Sequence, residues 1–339
     1  MKNYFMPAEW DKHEATWLAW PHNKNDWPGR FVPVQWMYGE ITRKLAESEK
    51  TRIIVYSSAH EKQAVRILSR VGANMENVEF FHFRTDRVWV RDYGPIFVRS
   101  ENRTAAVDFK FNGWAKYPNH NNDDKIPKRI CRKLRMKRID ASDFVLEGGA
   151  IDVNGEGTLI ATEQCLLDAH VQARNPKFNK KEIEQTLKNH LGVSNILWLG
   201  KGIGGDDTHG HVDDVCRFVN KDTVVLCMEE NKKDPNNRIL RQNMERLERM
   251  RLEDGSKINV VPLPMPKAVV FDGIRLPASY ANFYIANSVV LVPTFNDPND
   301  RKALDVLADL FPERTVVGIH SVDLVWGLGT IHCITKQQP

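Results

Sequence analysis

The chain alternates between pairs of short strands and amphipathic helices. Strand pairs with turn-forming residues between them are predicted at 95–99 with 104–109, 150–153 with 158–162, 215–219 with 223–228, and 282–285 with 289–293. Apolar residues at helical spacing predict helices at 34–49, 61–71, 180–191, 238–251 and 301–311. Other apolar runs predict strands that flank these helices, at 51–56, 78–83, 196–198, 258–262 and 315–319.

These elements recur in a fixed order, as a strand pair, a helix and a further strand. The period is roughly 60–70 residues, which indicates about five modules in a ring or propeller. A mixed α/β sheet without internal symmetry fits the same pattern. Each strand pair also follows a short polar motif, at 91–94, 147–149, 211–213 and 279–280.

Composition and charge describe an ordinary globular chain of 339 residues with a net charge of +4. No linker divides it, so we expect residues 1–339 to form a single catalytic domain. The basic segment 125–138 fits a solvated helix face better than a nucleic-acid site. No run is long enough to span a membrane, and no signal peptide is recognised. We therefore expect a cytoplasmic protein with no nucleic-acid or membrane partner, and a homo-oligomer stays open.

Five cysteines, an odd number without a CxxC pair, argue against a disulfide framework and a structural zinc site. Cys333 lies in the apolar run 331–335, close to the end of the chain. A lone cysteine in such a run is more often an inert buried residue than a nucleophile. The other four are interpreted as structural: Cys131, Cys165, Cys216 and Cys227.

Polar residues are densest around His211 and Asp213. If this segment is a strand, positions i and i+2 face the same side, so both side chains would point into one site. The neighbouring residues Asp206, Asp207 and His209 also leave a metal site open. Against it, the sequence contains no second histidine cluster, and a hydrogen-bonded polar loop is the simpler alternative.

Two further motifs place carboxylates beside glycine. Glu147 precedes two glycines and a predicted strand, which allows close approach of backbone or ligand. Asp92 lies in the motif 89–95 and could bind a cation, with Trp89 or Trp114 supplying an aromatic face. Taken alone, each motif also fits an ordinary charged turn.

Together these motifs resemble the agmatine deiminase family of guanidine-modifying enzymes, which includes bacterial-type peptidylarginine deiminases. The resemblance runs nearly end to end, through 6–10, 17–21, 89–95, 111–114, 147–149, 205–208, 211–214, 276–283, 292–295 and 332–335. It implies a five-module, pseudo-symmetric α/β propeller of the pentein type. It also implies that the substrate is agmatine and that neither a metal nor an organic cofactor is used.

The resemblance also implies a role for each motif. Cys333 would attack the guanidinium carbon of agmatine, and His211 would protonate the departing ammonia and then activate water. Carboxylates would bind the guanidinium, from Asp92, Glu147 and Asp213. Asp206 or Asp207 would bind the distal ammonium by charge, in a channel lined by Trp89 and Trp114.

The approach to the cysteine departs from the family pattern at Leu328, which replaces a glycine, and at Thr330, which replaces an asparagine. Both changes bear on loop geometry beside the nucleophile. Three alternatives stay open: deimination of free or peptidyl arginine, a metal-dependent hydrolase, and an inactive binding homologue.

Overall fold

A computed structural model describes residues 4–101 and 103–339, which fold into five similar sheets and one small hairpin. In each sheet an antiparallel strand pair is followed by a parallel strand. A parallel neighbour requires a long crossover, and a helix supplies it in each case. This recurrence confirms the predicted module pattern.

Strands and helices alternate through the five modules. The first two modules contain β1 (Ala15–Ala19), α1 (Phe31–Leu45), β2 (Lys50–Val55), α2 (Ser58–Val71), β3 (Val78–His82), α3 (Val90–Tyr93), β4 (Ile96–Ser100), β5 (Arg103–Lys110), α4 (Ile126–Leu134) and β6 (Lys137–Val145). The third and fourth contain β7 (Ile151–Val153), β8 (Thr158–Thr162), α5 (Glu163–Leu166), α6 (Lys180–Leu191), β9 (Asn195–Leu199), β10 (Cys216–Phe218), β11 (Thr223–Met228), α7 (Pro235–Arg249) and β12 (Asn259–Pro264). The rest comprises β13 (Val270–Phe271), β14 (Ile274–Arg275), β15 (Tyr284–Ile285), β16 (Val289–Thr294), α8 (Asn299–Leu310), β17 (Thr315–His320), α9 (Val322–Val325) and β18 (Lys336–Gln338).

The last strand closes the fold onto the first. β18 pairs with β1 in the four-stranded sheet β18–β1–β2–β3, which joins the two ends of the chain. Modules that follow one another also touch through buried polar side chains. Arg217 of β10 donates to the carbonyl of Phe283, and Asn287 of the last module hydrogen-bonds to His13 ahead of β1. The first and last strands are therefore tied together next to the turn that carries Cys333.

Local sequence explains where the predicted helices begin and end. Asn179 and Glu182 form a capping box at the start of α6, and Gly192 ends that helix in the left-handed conformation. All five predicted helices are present, with ends shifted by a few residues. The basic segment forms α4, whose charged side chains are largely exposed, as expected for a solvated face.

Some predicted elements differ from the structure or lie outside it. The strand expected at 282–285 is only the two-residue β15, because Asn282 is used to build the site. The first predicted turn contains Asn102, and the N-terminal segment contains residues 1–3, all outside the described residues. Within the described chain, none of the helices combines the length and apolar character of a membrane span.

Candidate active site

The polar motifs that precede the first strands of the modules meet at one buried site. The ring of His211 lies between three carboxylates: Nδ1 is 3.7 Å from Asp92 and 4.0 Å from Asp213, and Nε2 is 4.0 Å from Glu147. All four side chains are almost fully buried. Cys333 and Asp92 line the same pocket. The predicted catalytic residues therefore lie together, although they come from four separate modules.

The local structure around His211 differs from the prediction. Val212–Asp214 form a turn of 3₁₀ helix, and β10 begins only at Cys216, so strand alternation does not bring His211 and Asp213 together. Gly149 makes their approach possible instead. A Cβ on this residue would lie 2.5 Å from His211 Nδ1, 2.9 Å from Asp92 and 3.0 Å from Asp213. The glycine is therefore required by close packing of the site.

Three buried polar atoms in this cluster have no hydrogen-bond partner among the described residues: Glu147 Oε2, His211 Nε2 and Asp213 Oδ1. Buried polar atoms are rarely left unpaired, because each one loses its hydrogen bonds to water. Two of them are carboxylate oxygens, and an ionised carboxylate acts only as a hydrogen-bond acceptor. The cluster is thus complementary to a small cation that donates several N–H groups.

Asp92 is held in place from two sides. Its carboxylate accepts hydrogen bonds from Trp114 Nε1 at 2.9 Å and from the backbone N–H of Gly149 at 3.1 Å. Burial and the neighbouring Glu147 nevertheless raise the pKa of Asp92 to about 7. A cation in the site would reverse this effect and favour the carboxylate.

Glu147 is ion-paired on its outer side with Arg174 at 2.9 Å, and both side chains are fully buried. Burial, together with this guanidinium, lowers the pKa of His211 well below its ordinary value, so the imidazole is neutral at neutral pH. Arg174 is fixed by the carbonyls of Gln172 and Thr208. It leaves the other Glu147 oxygen directed at the site.

Cys165 is nearer to this chemistry than its sequence suggested. Ligand atoms of Glu147, Cys165 and His211 lie within 4.8 Å of one another, a spacing that could hold a metal ion. The interpretation of Cys165 as structural did not anticipate this position beside His211. The three donor atoms fit a metal ion poorly, because Arg174 already pairs with Glu147, and burial raises the pKa of the Cys165 thiol above its ordinary value, which disfavours the thiolate that a metal would need. The absence of a required metal stays a prediction.

Cys333 lies in a turn before β18 and is contacted by the amide of Asn282. Asn282 Oδ1 accepts from the backbone N–H of His332 at 3.0 Å and from the hydroxyl of Thr330 at 2.7 Å, which fixes the orientation of the amide. Its NH₂ group therefore donates to Cys333 Sγ at 3.2 Å and to Asp214 at 3.0 Å. Thr330 supports the nucleophile through this amide.

Electrostatics oppose a thiolate when no cation is bound. Burial and then the carboxylates of Asp213, Asp214 and Asp92 raise the pKa of Cys333 well above its ordinary value. The second departure from the family pattern, Leu328, adopts a left-handed backbone with φ of 70° and lines the pocket. Such a backbone costs a non-glycine residue free energy, and the flanking contacts must offset it.

Trp89, Trp114 and Asp207 line the same pocket as Cys333, and their role as a substrate channel stays a prediction. Asp207 does not present a free charge there: its carboxylate is bonded to Lys116 Nζ and accepts from Tyr117 Oη at 2.8 Å. The alternative residue, Asp206, does not line the pocket.

The carboxylate of Asp206 shapes the loop instead. It accepts from the backbone N–H groups of Thr208 at 2.7 Å, Gly210 at 2.6 Å and His211 at 3.0 Å. These bonds position His211, but they leave Asp206 without a direct role in binding the distal ammonium. The expectation that Asp206 could serve there by charge is not supported by its position.

Arg87 also lines the mouth of the pocket, stacked over Tyr117 with its guanidinium carbon 4.3 Å from the ring centre. It hydrogen-bonds to Asn119 at 3.1 Å and to Asp26 at 3.5 Å. Burial raises the pKa of Asp26 to about 6. The pocket is thus lined by the carboxylate of Asp207, paired with Lys116, and by the guanidinium of Arg87, paired with Asp26.

Several site residues were missed in the sequence, namely Arg174, Asn282, and the pair Glu9 and His332, whose side chains bond to one another beside Asp213. Arg174 lies in a loop without a motif, and nothing in the local pattern marks it. The others lie inside motifs that carry the family resemblance, at 6–10, 276–283 and 332–335. The signal available in the sequence was the placement of these polar residues in otherwise apolar runs, which indicates buried polar side chains that need partners.

Comparison with known proteins identifies the family of this chain. The model of the Porphyromonas-type peptidyl-arginine deiminase family matches residues 5–339. Agmatine deiminase of Stutzerimonas stutzeri (strain A1501) is 36% identical over 360 residues, covering 99% of this chain and 95% of the relative. The solved agmatine deiminase of Enterococcus faecalis is 32% identical with a TM-score of 0.93, covering 99% of this chain and 96% of that one. A cysteine-to-serine variant of C. jejuni agmatine deiminase with substrate bound is 30% identical with a TM-score of 0.88, covering the same shares. The chain therefore belongs to the Porphyromonas-type peptidyl-arginine deiminase family.

Proposed function

We propose that this protein hydrolyses agmatine to N-carbamoylputrescine and ammonia through a covalent intermediate on Cys333. The observation that carries the proposal is the set of unpaired buried atoms on Glu147, His211 and Asp213, beside Asp92 and the pocket that contains Cys333. A planar guanidinium offers paired N–H donors, which carboxylates accept in two parallel bonds. Full-length relatives that are agmatine deiminases support agmatine as its source.

Substrate binding would also activate the nucleophile. Two of the carboxylates that raise the pKa of Cys333, Asp213 and Asp92, are groups that would bind the cation. Once the guanidinium offsets the negative charge of these carboxylates, the thiolate of Cys333 forms more easily, and the Asn282 NH₂ group stabilises it further. The same contacts hold the guanidinium carbon against the sulfur, which supplies the proximity needed for attack.

The reaction then proceeds in two balanced steps. Cys333 loses its proton to the neutral His211, and the sulfur forms a C–S bond with the guanidinium carbon. A C–N bond breaks, His211 returns the proton to the leaving nitrogen, and ammonia departs. Water, deprotonated by His211, then attacks the amidino carbon, and the C–S bond breaks. His211 returns its proton to the sulfur, and the proton left on the cationic product passes to the released ammonia or to water, giving the neutral ureido product and the thiol.

A turnover assay tests the proposal. We expect ammonia and N-carbamoylputrescine from agmatine, loss of more than about 10³-fold in kcat for Cys333→Ala, and unchanged kcat after dialysis against a chelator. Cys131→Ala, which removes another buried thiol, on α4, is the matched control. Turnover that requires added metal or survives in Cys333→Ala would overturn the thiol mechanism.

Arginine is the second candidate substrate, because Arg87 places a guanidinium at the mouth of the pocket where a substrate carboxylate would lie. Its bonds to Asp26 and Asn119 already occupy part of that group. Comparing kcat/KM for agmatine, free arginine and a peptide with C-terminal arginine separates the candidates. Preference for either arginine substrate would overturn the choice of agmatine.

Other expectations stay predictions. These are the organisation of residues 1–339 as a single catalytic domain, the cytoplasmic location, the absence of nucleic-acid and membrane partners, and a role in polyamine biosynthesis that leads to putrescine. The state of association is also open. Gel filtration with light scattering would address the state of association, and fractionation of expressing cells would address the location.

A further inference from the structure

Next to the site, His332 links Asp213, one of the carboxylates proposed to bind the substrate, to a second buried acid, Glu9. Its Nδ1 lies 2.6 Å from Asp213 Oδ2, and its Nε2 lies 2.8 Å from Glu9 Oε2. All three side chains are at least nine-tenths buried. An imidazole between two carboxylates can form both hydrogen bonds only if each nitrogen–oxygen contact contains one proton.

The surroundings of Glu9 determine which atom supplies one of these protons. Its carboxylate accepts from Arg217 at 2.8 Å, from Arg91 at 3.2 Å and from the backbone N–H of Ile285 at 2.9 Å. The guanidinium groups of Arg217 and Arg91 hold the pKa of Glu9 well below its ordinary value despite the opposing effect of burial. Glu9 is therefore an acceptor only, and His332 Nε2 carries the hydrogen in that contact.

The second proton lies between Nδ1 and Asp213. A bare nitrogen and an ionised carboxylate would repel each other at 2.6 Å, so the contact needs a hydrogen on one of them. Burial, then Asp92, raises the pKa of Asp213 well above its ordinary value, and burial with Arg217 and Arg91 lowers that of His332. Without a bound cation the hydrogen accordingly belongs to Asp213.

Other charges face this pair from every side. Arg91 of α3 and Arg217 of β10 lie on the side of Glu9, and Arg217 is also paired with Asp152 of β7 at 3.2 Å. The buried amine of Lys336 on β18 donates to the Arg91 carbonyl. On the opposite side, Asp206, Asp92 and Asp214 surround Asp213. Negative charge thus accumulates on the substrate side, and positive charge on the side of Glu9.

We propose that Glu9 and His332 are positioning residues that hold one proton for Asp213, an inference that rests on the proposed binding of a guanidinium. Without substrate the proton neutralises a carboxylate that would otherwise face other acids. When a cation binds Asp213 Oδ1, the O–H bond of Asp213 breaks and an N–H bond forms at His332 Nδ1. Asp213 then binds as a carboxylate, and the imidazolium faces Glu9. This transfer exchanges no proton with solvent.

Nitrogen-15 NMR of the histidine rings in the full-length protein tests this transfer directly. The His332 signals are assigned through its backbone resonances, and guanidinium chloride at millimolar concentration is the probe, with tetramethylammonium chloride as the ionic-strength control. We expect His332 to pass from one protonated and one bare ring nitrogen to two protonated nitrogens with guanidinium only. A ring that keeps its bare Nδ1 at saturation, or one already doubly protonated without ligand, overturns the proposal.

Kinetics of His332→Asn provide the second test. In the unaltered protein, KM for agmatine should rise as pH falls below about 7, because Asp92 must lose its proton when the cation binds. In the variant Asp213 must also release its proton to solvent, so KM should rise more steeply with falling pH, and kcat/KM should fall about 100-fold, as expected when a contact to the reacting group is misplaced. His190→Asn, which removes an imidazole bonded to the Thr186 carbonyl on α6, should keep the profile of the unaltered protein. A profile of the same steepness in His332→Asn and in the unaltered protein would contradict the proposal.

The two tests separate this inference from the proposed function. Failure of the unaltered protein to turn over agmatine refutes the substrate, yet the NMR response to guanidinium still reports on His332. Normal turnover with an unresponsive ring refutes the proton transfer alone. If His332→Asn does not fold, the NMR experiment on the unaltered protein still decides the matter.

Discussion

Removing the Asn282 side chain should make the nucleophile harder to ionise. In Asn282→Ala, Cys333 Sγ loses its amide donor at 3.2 Å, and the thiolate loses more than the neutral thiol because the bond is to the charged form. The pKa of Cys333 should therefore rise further. Thr330→Val is the milder change, since it removes only the hydroxyl that orients the amide at 2.7 Å.

The size of the effect follows from the type of bond. A hydrogen bond to a charged group contributes about 1.5–3 kcal/mol. One pKa unit corresponds to about 1.36 kcal/mol, so Asn282→Ala should raise the pKa of Cys333 by about 1–2. A neutral bond contributes about 0.5–1.5 kcal/mol, so Thr330→Val should raise it by less than about 1.

The rate of alkylation of Cys333 by iodoacetamide, followed by mass spectrometry across pH, measures this change without substrate. Because the thiolate is the reacting form, a higher pKa moves the curve to higher pH. Asn243→Ala, which removes another fully buried amide bonded to Gly200 and Lys201, is the matched control. If the curve for Asn282→Ala coincides with that of the unaltered protein, the amide does not stabilise the thiolate.

Three further predictions follow from the site. Asp92→Asn should abolish turnover. Because the pKa of Asp92 is raised from 3.8 to about 7, the substitution should also increase the free energy of unfolding at pH 8 by up to about 4 kcal/mol. This gain over the unaltered protein should shrink as pH falls towards 4, and urea denaturation at several pH values measures it. Gly149→Ala should lower kcat/KM more than about 100-fold, because its methyl group would meet the site side chains, whereas Gly204→Ala, with 3.4 Å of clearance, should not. Lys116→Met should free the Asp207 carboxylate and lower KM for agmatine by about 3-fold, in line with a surface charge contact.

Each of these has a distinct contrary result. If Asp92→Asn increases the free energy of unfolding over that of the unaltered protein by the same amount at pH 5 and at pH 8, burial does not destabilise the carboxylate. Normal activity of Gly149→Ala would mean that the cluster can spread without cost. A higher KM for agmatine in Lys116→Met, with the fold intact, would exclude Asp207 as a group that attracts the ammonium.

Local pattern was sufficient for much of the fold. Helices such as α6 were predicted because apolar spacing and caps act within a few residues. The recurring strand pairs indicated modules for the same reason. Pattern failed at 211–213, where a predicted strand is a 3₁₀ turn, because hydrogen bonds from Asp206 and packing against Gly149 override local preference.

The sequence by itself determined the chemistry that is available: a thiol at 333, an imidazole at 211, and carboxylates at 92, 147 and 213, each beside a module boundary. Only the tertiary structure decided their environment. Whether Cys165 lies near His211, whether Asp207 is paired with Lys116, and whether His332 bridges two acids depend on contacts between residues far apart in the chain. Charge interactions and burial act over a few ångströms in space, irrespective of separation along the chain, so the pKa values and proton positions on which catalysis depends arise only when the modules meet.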